Sequence, residues 1–352
     1  MGEKLDATGS DAPQAAAGAS EPAKRPTMRD VAARAGVSKA LVSLVFRNAP
    51  GASAETRARV MQAAAELGYR HNRTASLLAR RRTHLLGVTM TLRNTFHAEL
   101  FEELQAVADE FGYELALSTV TRTHDERRAI ENLLEFRCEG LVLIGAELPA
   151  PRLTALGRQL PVVVVGRRIA SPDLDVVRTA DDQGVGQVVD HLAELGHRSI
   201  AHLDGGAGTI ASDRRRGYRK AMQRNGLEEH IRLVTGGYTE DAGMAAARAL
   251  LDGPDLPTAV VAVNDRSAVG LLDILARSGV EAPKAVSVAG YDDSPLSRLA
   301  HVNLTTVSQE PLDQARHALQ AMVERLDGGR TTRRDVVLKP RLVIRGTTGA
   351  PR

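Results

Sequence analysis

From His84 onward, short runs of aliphatic and β-branched residues alternate with longer stretches in which apolar residues recur at helical spacing. This alternation is typical of parallel sheets covered by helices. The alternation continues for about 260 residues, which is more than one ordinary α/β domain contains. We therefore expect two α/β lobes with a ligand crevice between them, at the carboxyl ends of the strands. The strand runs are 85–88, 113–117, 141–144, 162–165, 200–203, 259–263 and 286–289, and helical stretches include 99–111, 182–195 and 266–277.

The segment before residue 84 has a different pattern, that of short helices with capping residues. Thr27 and Asp30 form a Ser/Thr-x-x-Asp/Glu capping box that predicts the start of one helix, which Gly36 ends. Ser38 is the predicted cap of a second helix, and Ser53 is that of a third. Two consecutive helices joined by a short turn that contains glycine describe a helix-turn-helix. We therefore expect an all-helical headpiece in front of the α/β lobes.

Charge separates the same two regions. Between Lys24 and Arg82 the chain has 13 Lys or Arg against three acidic residues, a local net charge of +10. From residue 85 onward it has 32 basic and 36 acidic residues, so this part is mildly acidic even though the whole chain carries a net charge of +3. A basic head on a mildly acidic body indicates that the head binds a polyanion. The alternative is a solvated charged face.

The outer face of the second predicted helix is the expected DNA-reading surface, because its apolar positions fall on the opposite side. Such a face lies in the major groove. Its residues are Lys39, Ala40, Ser43, Leu44 and Arg47. The expected phosphate contacts, each of which can equally be solvated surface, are Arg29, Arg34, Arg57, Arg59 and Arg70.

Residues 1–25 are rich in Ala, Gly, Ser, Asp and Pro and lack large apolar groups, so we expect a disordered tail. The chain has no apolar run of the roughly 18 to 20 residues that a membrane-spanning helix requires, and its N-terminus does not resemble a secretory signal. We therefore expect a cytoplasmic protein with no membrane partner. Its single cysteine, Cys138, is predicted to be a small buried hydrophobe.

Several motifs resemble the lactose/galactose repressor (LacI/GalR) family of transcriptional regulators, in the right order and at the right spacing. Residues 27–38 with 42–43 resemble the DNA-binding head of that family, and residues 72–78 resemble its hinge helix. Landmarks of its effector domain are matched at 94–96, 190–192 with 195–197, 214 with 217–218, 264–265, 290–293 and 304–307. The resemblance runs from about residue 25 to about residue 346.

The fold that the resemblance implies is α/β. It has an N-terminal all-α helix-turn-helix headpiece and a two-lobed core like a periplasmic binding protein, with doubly wound parallel sheets. The expected divisions are a tail at 1–25, the helix-turn-helix domain at 26–70, the hinge helix and linker at 71–83, the effector-binding and dimerisation domain at 84–346, and a tail at 347–352. Lobe 1 is expected at about 84–177 plus 308–337, and lobe 2 at about 178–307 plus 338–346.

The resemblance also implies a homodimer that binds double-stranded, pseudo-palindromic operator DNA. In the family, paired hinge helices enter the minor groove and a leucine wedges the central base step, a role that falls on Leu78. Isolated helices shorter than about 12 residues are marginal in water, so the hinge is expected to form on the operator. Thr27, Ser38, Asn72, Arg73 and Ala75 complete the expected DNA-binding set.

By matched position, Arg214, Asn264 and Asp292 are the expected central contacts of a small polar effector, with Gln309 closing the crevice. The full expected set is Asn94, Phe96, Arg214, Tyr238, Asn264, Asp265, Asp292 and Gln309. Carbohydrates favour planar charged and amide groups with a stacking ring, so we expect a sugar. Asp265 can equally cap the helix that begins there, and Phe96 can equally be core packing.

The chain departs from the family pattern at positions that bear on specificity. Leu44 stands where the family often has Arg, and Arg47 stands where Asn is usual. In the effector domain, Ala180 and Asp181 stand where the family usually has Asp and Asn. The operator sequence and the ligand therefore do not carry over from the family.

Three rival functions share parts of this pattern. A free solute-binding protein would have the two lobes, but would need a signal peptide and no basic head. An α/β enzyme would need a cofactor loop or an acid/base pair, whereas the Gly-x-Gly at 184–186 lacks a third glycine and no Gly-x-Ser-x-Gly elbow occurs. His191 and His197 have no neighbouring cysteine, so we expect no metal site. Because the sequence also lacks a cofactor loop and a nucleophile elbow, we expect no cofactor and no catalysis.

The third rival is a regulator that answers to a purine or another metabolite. It would differ from a sugar-responsive regulator only in the ligand. We expect a DNA-binding repressor whose operator affinity is controlled by a sugar. When the effector binds, the protein can either be released from its operator or bind the operator more tightly; the sequence is compatible with both.

Overall fold

The computed structural model describes residues 26–46, 49–69 and 82–352. The chain divides into two compact units, Met1–Arg81 and Arg82–Arg352. The predicted tail at 1–25 and the predicted hinge helix lie outside the described residues. No helix in the described ranges is long and apolar enough to cross a membrane.

Three short helices form the described part of the first unit: α1 (Met28–Ala35), α2 (Lys39–Phe46) and α3 (Ala54–Glu66). The capping box is confirmed, because the Asp30 carboxylate accepts hydrogen bonds from the backbone N and Oγ1 of Thr27 at 2.7 and 2.8 Å. Ser38 Oγ accepts from the backbone N of Leu41 at 3.2 Å. The small core of this unit includes Val31, Val42 and Val60, which are fully buried.

Lobe 1 of the second unit contains a six-stranded parallel sheet in the order β11-β5-β4-β3-β1-β2. Its strands are β1 (Leu85–Thr91), β2 (Glu114–Val120), β3 (Gly140–Ile144), β4 (Val162–Val165), β5 (Asp175–Thr179) and β11 (Asp335–Leu338). Its helices are α4 (Thr95–Glu110), α5 (Glu126–Glu135), α6 (Ala150–Gly157) and α11 (Pro311–Leu326). Alternate strand residues pack into two cores, one on each face, which explains the continuous apolar runs.

Lobe 2 contains a four-stranded parallel sheet in the order β7-β6-β8-β9. Its strands are β6 (Ile200–Leu203), β7 (Arg232–Val234), β8 (Ala259–Ala262) and β9 (Ser287–Ala289). Its helices are α7 (Asp181–Glu194), α8 (Thr209–Arg224), α9 (Glu240–Leu251) and α10 (Asp265–Arg277). Here too both faces of the sheet are covered, α7 and α8 packing on one and α9 and α10 on the other.

The described chain passes between the lobes after β5, after β10 (Thr306–Ser308) and between β11 and β12 (Arg341–Val343). β10 and β12 pair as an antiparallel ribbon. Hydrogen bonds join the first two crossings: Gln314 Nε2 donates to the Gln309 carbonyl at 2.7 Å and to Thr179 Oγ1 at 3.2 Å. A change at Gln309 therefore acts directly on the connection between the lobes.

All seven predicted strand runs are strands, and Cys138 is buried as predicted. Five strands were missed. β7, β10 and β12 have three residues each, β11 is half exposed, and β5 contains charged residues, so none shows a long apolar run. Residues 347–352, assigned to a tail from the sequence, pack on lobe 2: the Thr347 carbonyl accepts from the backbone N of Val288 at 2.8 Å.

Two glycines set the close approach of α9 and α10. A Cβ at Gly270 would overlap the Glu240 carbonyl oxygen, and one at Gly243 would overlap that of Ser267. We expect Gly270→Ala to destabilise lobe 2 by about 1–3 kcal/mol, because the helices must separate. Urea denaturation checks this, with Gly208→Ala as control, since a Cβ at Gly208 meets nothing within 4 Å. Equal midpoints for the two variants would contradict the close packing.

Candidate operator interface and effector cleft

Four of the five residues of the predicted reading face, Lys39, Ala40, Ser43 and Leu44, lie in the described part of α2. Val42 and Val45 are buried, and Lys39 and Ala40 on the other side are exposed. Ser43 and Leu44 are partly buried. The helix therefore presents a positive charge and small side chains at its N-terminal end, where helix-turn-helix proteins contact base edges.

The expected phosphate-contacting arginines have different surroundings. Arg34 Nη2 lies 2.5 Å from Glu66 Oε2, and the Arg57 guanidinium donates to the Ala49 carbonyl. Arg29 and Arg59 are exposed. Arg47, Arg70, Asn72, Arg73, Ala75 and Leu78 lie outside the described residues.

In the second unit, a small cavity of about 40 Å³ lies between the lobes. Its walls are formed where β3 and β4 of lobe 1 end and where α8 and the loop after β9 face them from lobe 2. Six of the eight expected effector residues line it: Asn94, Phe96, Arg214, Tyr238, Asp292 and Gln309. The crevice is therefore at the carboxyl ends of the strands, as predicted.

Arg214 on α8 is the centre of the cavity's polar wall and is 3% exposed. Its Nε donates to Asp181 Oδ1 at 2.8 Å, and its Nη1 donates to the Val263 carbonyl. Its Nη2 lies 3.6 Å from Asp292 Oδ1, and its Cζ is 3.7 Å from the centroid of the Tyr291 ring. A buried guanidinium is thus held by two carboxylates, a carbonyl and an aromatic face.

Asp292 lies in the loop after β9, and its backbone φ is 117°, a value that residues other than glycine rarely adopt. Its Oδ1 accepts from Gln309 Nε2 at 2.7 Å. Burial raises the pKa of Asp292 to about 8, against the opposing charge of Arg214. A strained, buried carboxylate aimed at a cavity is typical of a binding site.

Asn264 and Asp265 do not line the cavity. Asn264 caps α10, because its Oδ1 accepts from the backbone N of Ser267 at 3.0 Å, and its Nδ2 donates to the Tyr238 carbonyl at 3.2 Å. Asp265 is not the cap. Its carboxylate accepts from the backbone N of Ser294 at 2.7 Å and from Thr306 Oγ1 at 2.5 Å, so it ties the loop after β9 and the start of β10 to α10.

A second, larger cavity of about 880 Å³ adjoins the first. It lies at the carboxyl ends of β1, β2 and β3, with residues 239–241 and Arg266 contributed by lobe 2. Ile144 and Gly145 line both cavities, so the two lie side by side. Ligand pockets commonly measure about 300–1,000 Å³, so this outer cavity has the room that the small one lacks.

Comparisons with known proteins decide the family. The head matches the profile described as bacterial regulatory proteins, lacI family, over residues 27–72, and residues 189–348 match the periplasmic binding protein-like domain. The HTH-type transcriptional regulator CelR of Thermobifida fusca is 32% identical over 335 residues, which cover 92% of this chain and 98% of that protein. The chain belongs to the LacI family.

Solved structures agree with this LacI-family assignment. The lac repressor dimer bound to operator and the anti-inducer ONPF gives a TM-score of 0.78 at 29% identity, covering 93% of this chain and 100% of that one. The CelR–cellobiose complex gives a TM-score of 0.67 at 30% identity, covering 92% and 100%. The chain is therefore a DNA-binding transcriptional regulator and not an enzyme.

Three polar residues at the described cleft of this LacI-family chain are absent from the predicted site, although the sequence marks one of them, Asp181, as a departure from the family pattern. Gln314 lines the small cavity from α11. His97 lines it from α4, and its ring lies against Gly145, where a Cβ would be 2.6 Å from His97 Cε1. Asp181 acts through Arg214. His97 directly follows the matched Asn-Thr-Phe motif, but nothing in the sequence marks it as buried.

Burial lowers the pKa of His97 from 6.5 to about 4, and that of His202 likewise. Because each histidine then binds more protons in the unfolded chain than in the folded one between pH 6.5 and pH 4, its contribution to stability falls as the pH falls through this range. Each histidine accounts for about 3 kcal/mol at most. We expect His97→Gln to make the pH dependence shallower in calorimetry at several pH values.

The exposed His301 supplies the control for this measurement. His301→Gln should keep the pH dependence of the wild-type protein. A slope for His97→Gln equal to that of the wild type would show that His97 is not buried in its neutral form.

Proposed function

We propose that this LacI-family regulator is a homodimeric repressor that binds a pseudo-palindromic operator, with its operator affinity controlled by a sugar in the cleft between its lobes. The observation that carries the effector half of this proposal is the buried polar cluster of Arg214, Asp292 and Gln309, which lines the small cavity together with Phe96 and Tyr238. Hydroxyl groups pair with such planar charged and amide groups, and sugar rings pack on aromatic faces. CelR, described in complex with cellobiose, supports a carbohydrate as ligand.

The DNA half rests on the first unit. The net charge of +10 between Lys24 and Arg82 suits a phosphate backbone, and Lys39 and Ala40 are exposed on α2. Thr27, Arg29, Ser38, Ser43 and Leu44 belong to the same proposed surface, as do Arg47, Asn72, Arg73, Ala75 and Leu78 beyond the described residues. The lac repressor structure, a dimer on its operator, supports the two-fold arrangement. We place the protein in the cytoplasm with its operator.

A cluster at the start of the second unit links the cleft to the chain that leads to the head. We call Arg82, Tyr113, Glu139 and Asp327 the clasp. Arg82 Nη2 donates to Glu139 Oε2 at 2.6 Å and to Tyr113 Oη at 2.7 Å, and its Nη1 donates to Asp327 Oδ1 at 2.5 Å. Because Glu139 precedes β3, whose carboxyl end lines both cavities, the clasp attaches the linker to a strand that reaches the effector.

The first experiment combines an effector screen with operator selection. Neutral sugars, sugar phosphates and purine bases are tested by thermal shift, since a ligand at 100 times its Kd adds about 2.7 kcal/mol of stability. Operators are selected from random duplexes, and affinity is measured with and without the hit.

We expect Lys39→Ala to weaken operator binding by about 5- to 150-fold if the lysine reads a base. Asp292→Ala should keep operator affinity and lose the effector response.

Lys220→Ala is the matched control, because Lys220 is an exposed lysine of the second unit. It should change neither property. A purine hit would replace the sugar with the rival metabolite class. If no operator sequence is enriched, the proposal that the protein binds a specific operator is contradicted.

The clasp makes a separate prediction. Glu139→Gln removes one of the two carboxylates that hold Arg82, the one next to β3, so the attachment of the linker to β3 is weakened. Effectors typically change affinity by about 5- to 150-fold, and we expect this ratio to fall towards one while sugar binding is retained. Glu135→Gln, an exposed carboxylate at the end of α5, is the control. An unchanged ratio in Glu139→Gln would show that coupling bypasses the clasp.

A further inference from the structure

The charge balance of the small cavity restricts what it can bind. Among the described residues, Arg214 is the one cationic side chain that lines it, because burial keeps His97 neutral. Two carboxylates, those of Asp181 and Asp292, face this single guanidinium. All three side chains are at most 6% exposed, so water screens their charges weakly.

The donors of Arg214 are largely committed within the protein. Nε is bonded to Asp181, Nη1 is bonded to the Val263 carbonyl, and Nη2 points to Asp292. An incoming phosphate or carboxylate would find no unpaired cation and would lie close to Asp292. A ligand hydroxyl, by contrast, can donate to Asp292 and accept from Gln309 without adding charge.

Neighbouring cations do not change this balance. Arg168 Nη2 lies 3.1 Å from Asp213 Oδ1, and Arg215 Nη1 lies 3.5 Å from Asp204 Oδ2. The outer cavity is lined by five arginines and five acidic residues among those the structure describes, so it offers no net positive charge. An anion gains no compensating field from either side.

We propose that this cleft selects uncharged, polyhydroxylated ligands against anionic ones such as sugar phosphates and sugar acids, and that Asp181 sets this preference. The inference rests on the proposed effector role of the cleft. Asp181 does not line the cavity but begins α7 beneath Arg214. It is therefore a positioning residue: it neutralises the guanidinium and fixes its Nε, which leaves no net positive charge for an anionic ligand to meet.

Asp181→Asn tests the proposal because it removes one charge and keeps the size and an acceptor oxygen. Titration calorimetry on the full chain compares matched probes at constant ionic strength: glucose with glucose 6-phosphate and glucuronate, galactose with galacturonate, and cellobiose with cellobionate. In the wild type, the neutral member of a pair should bind at least about tenfold more tightly. In Asp181→Asn, this ratio should shrink by about tenfold or more.

Asp182→Asn is the control, since it makes the same change one residue later, where the carboxylate lies 3.5 Å from Arg216 Nη2 and outside the cavity. Its ratio should stay within about twofold of the wild type. An anionic probe that binds the wild type more tightly than its neutral partner overturns the proposal. So does an unchanged ratio in a folded Asp181→Asn.

Two further outcomes separate this proposal from the proposed function. If Asp181→Asn does not fold, the wild-type ratios decide the ligand class and Asp181→Ser decides the role of Asp181. If no neutral sugar binds, the ligand class is overturned, whereas operator binding, measured separately, still stands or falls on its own.

Discussion

The second unit depends on the burial of one guanidinium, that of Arg214. A charge removed from water costs several kcal/mol unless its partners compensate, and removing one partner of a buried pair costs about 3–5 kcal/mol. The partners come from separate elements: Asp181 begins α7, Val263 follows β8, and Asp292 follows β9. Burying Arg214 therefore fixes the start of α7 and the ends of β8 and β9 relative to one another, on the lobe 2 side of the cleft.

The sequence predicts the elements that are buried on both faces, because these read as continuous apolar runs. β3 and β4 are of this kind, and their bounds agree with the predicted runs to within one residue. β5 was missed because its first residue, Asp175, is charged yet fully buried. Its carboxylate is held by Arg325 at 2.7 Å and Arg330 at 2.6 Å, and a contact across some 150 residues leaves no local signal.

The candidate site likewise contains residues that the sequence places correctly and residues that it does not. Motif matching placed Arg214 and Asp292 in the cleft because their spacing follows the family pattern. It also placed Asn264 and Asp265 there, although the hydrogen bonds of these residues commit them to capping and to loop attachment. The matched spacing locates a residue on its element, but it does not say which neighbours satisfy its polar atoms. That depends on tertiary packing, which a single sequence does not display.

The hydrogen bonds around the small cavity give the proposed effector a route to the connections between the lobes. In the structure, Gln309 Nε2 donates to Asp292 Oδ1 across the polar wall of the cleft. A ligand hydroxyl that pairs with Asp292 competes with Gln309 for that carboxylate. Gln309 belongs to the crossing after β10, and its carbonyl is tied through Gln314 to Thr179 at the crossing after β5. Exchange of one hydrogen bond therefore reaches two of the three connections between the lobes, and a difference in ligand affinity between two lobe arrangements follows from that exchange.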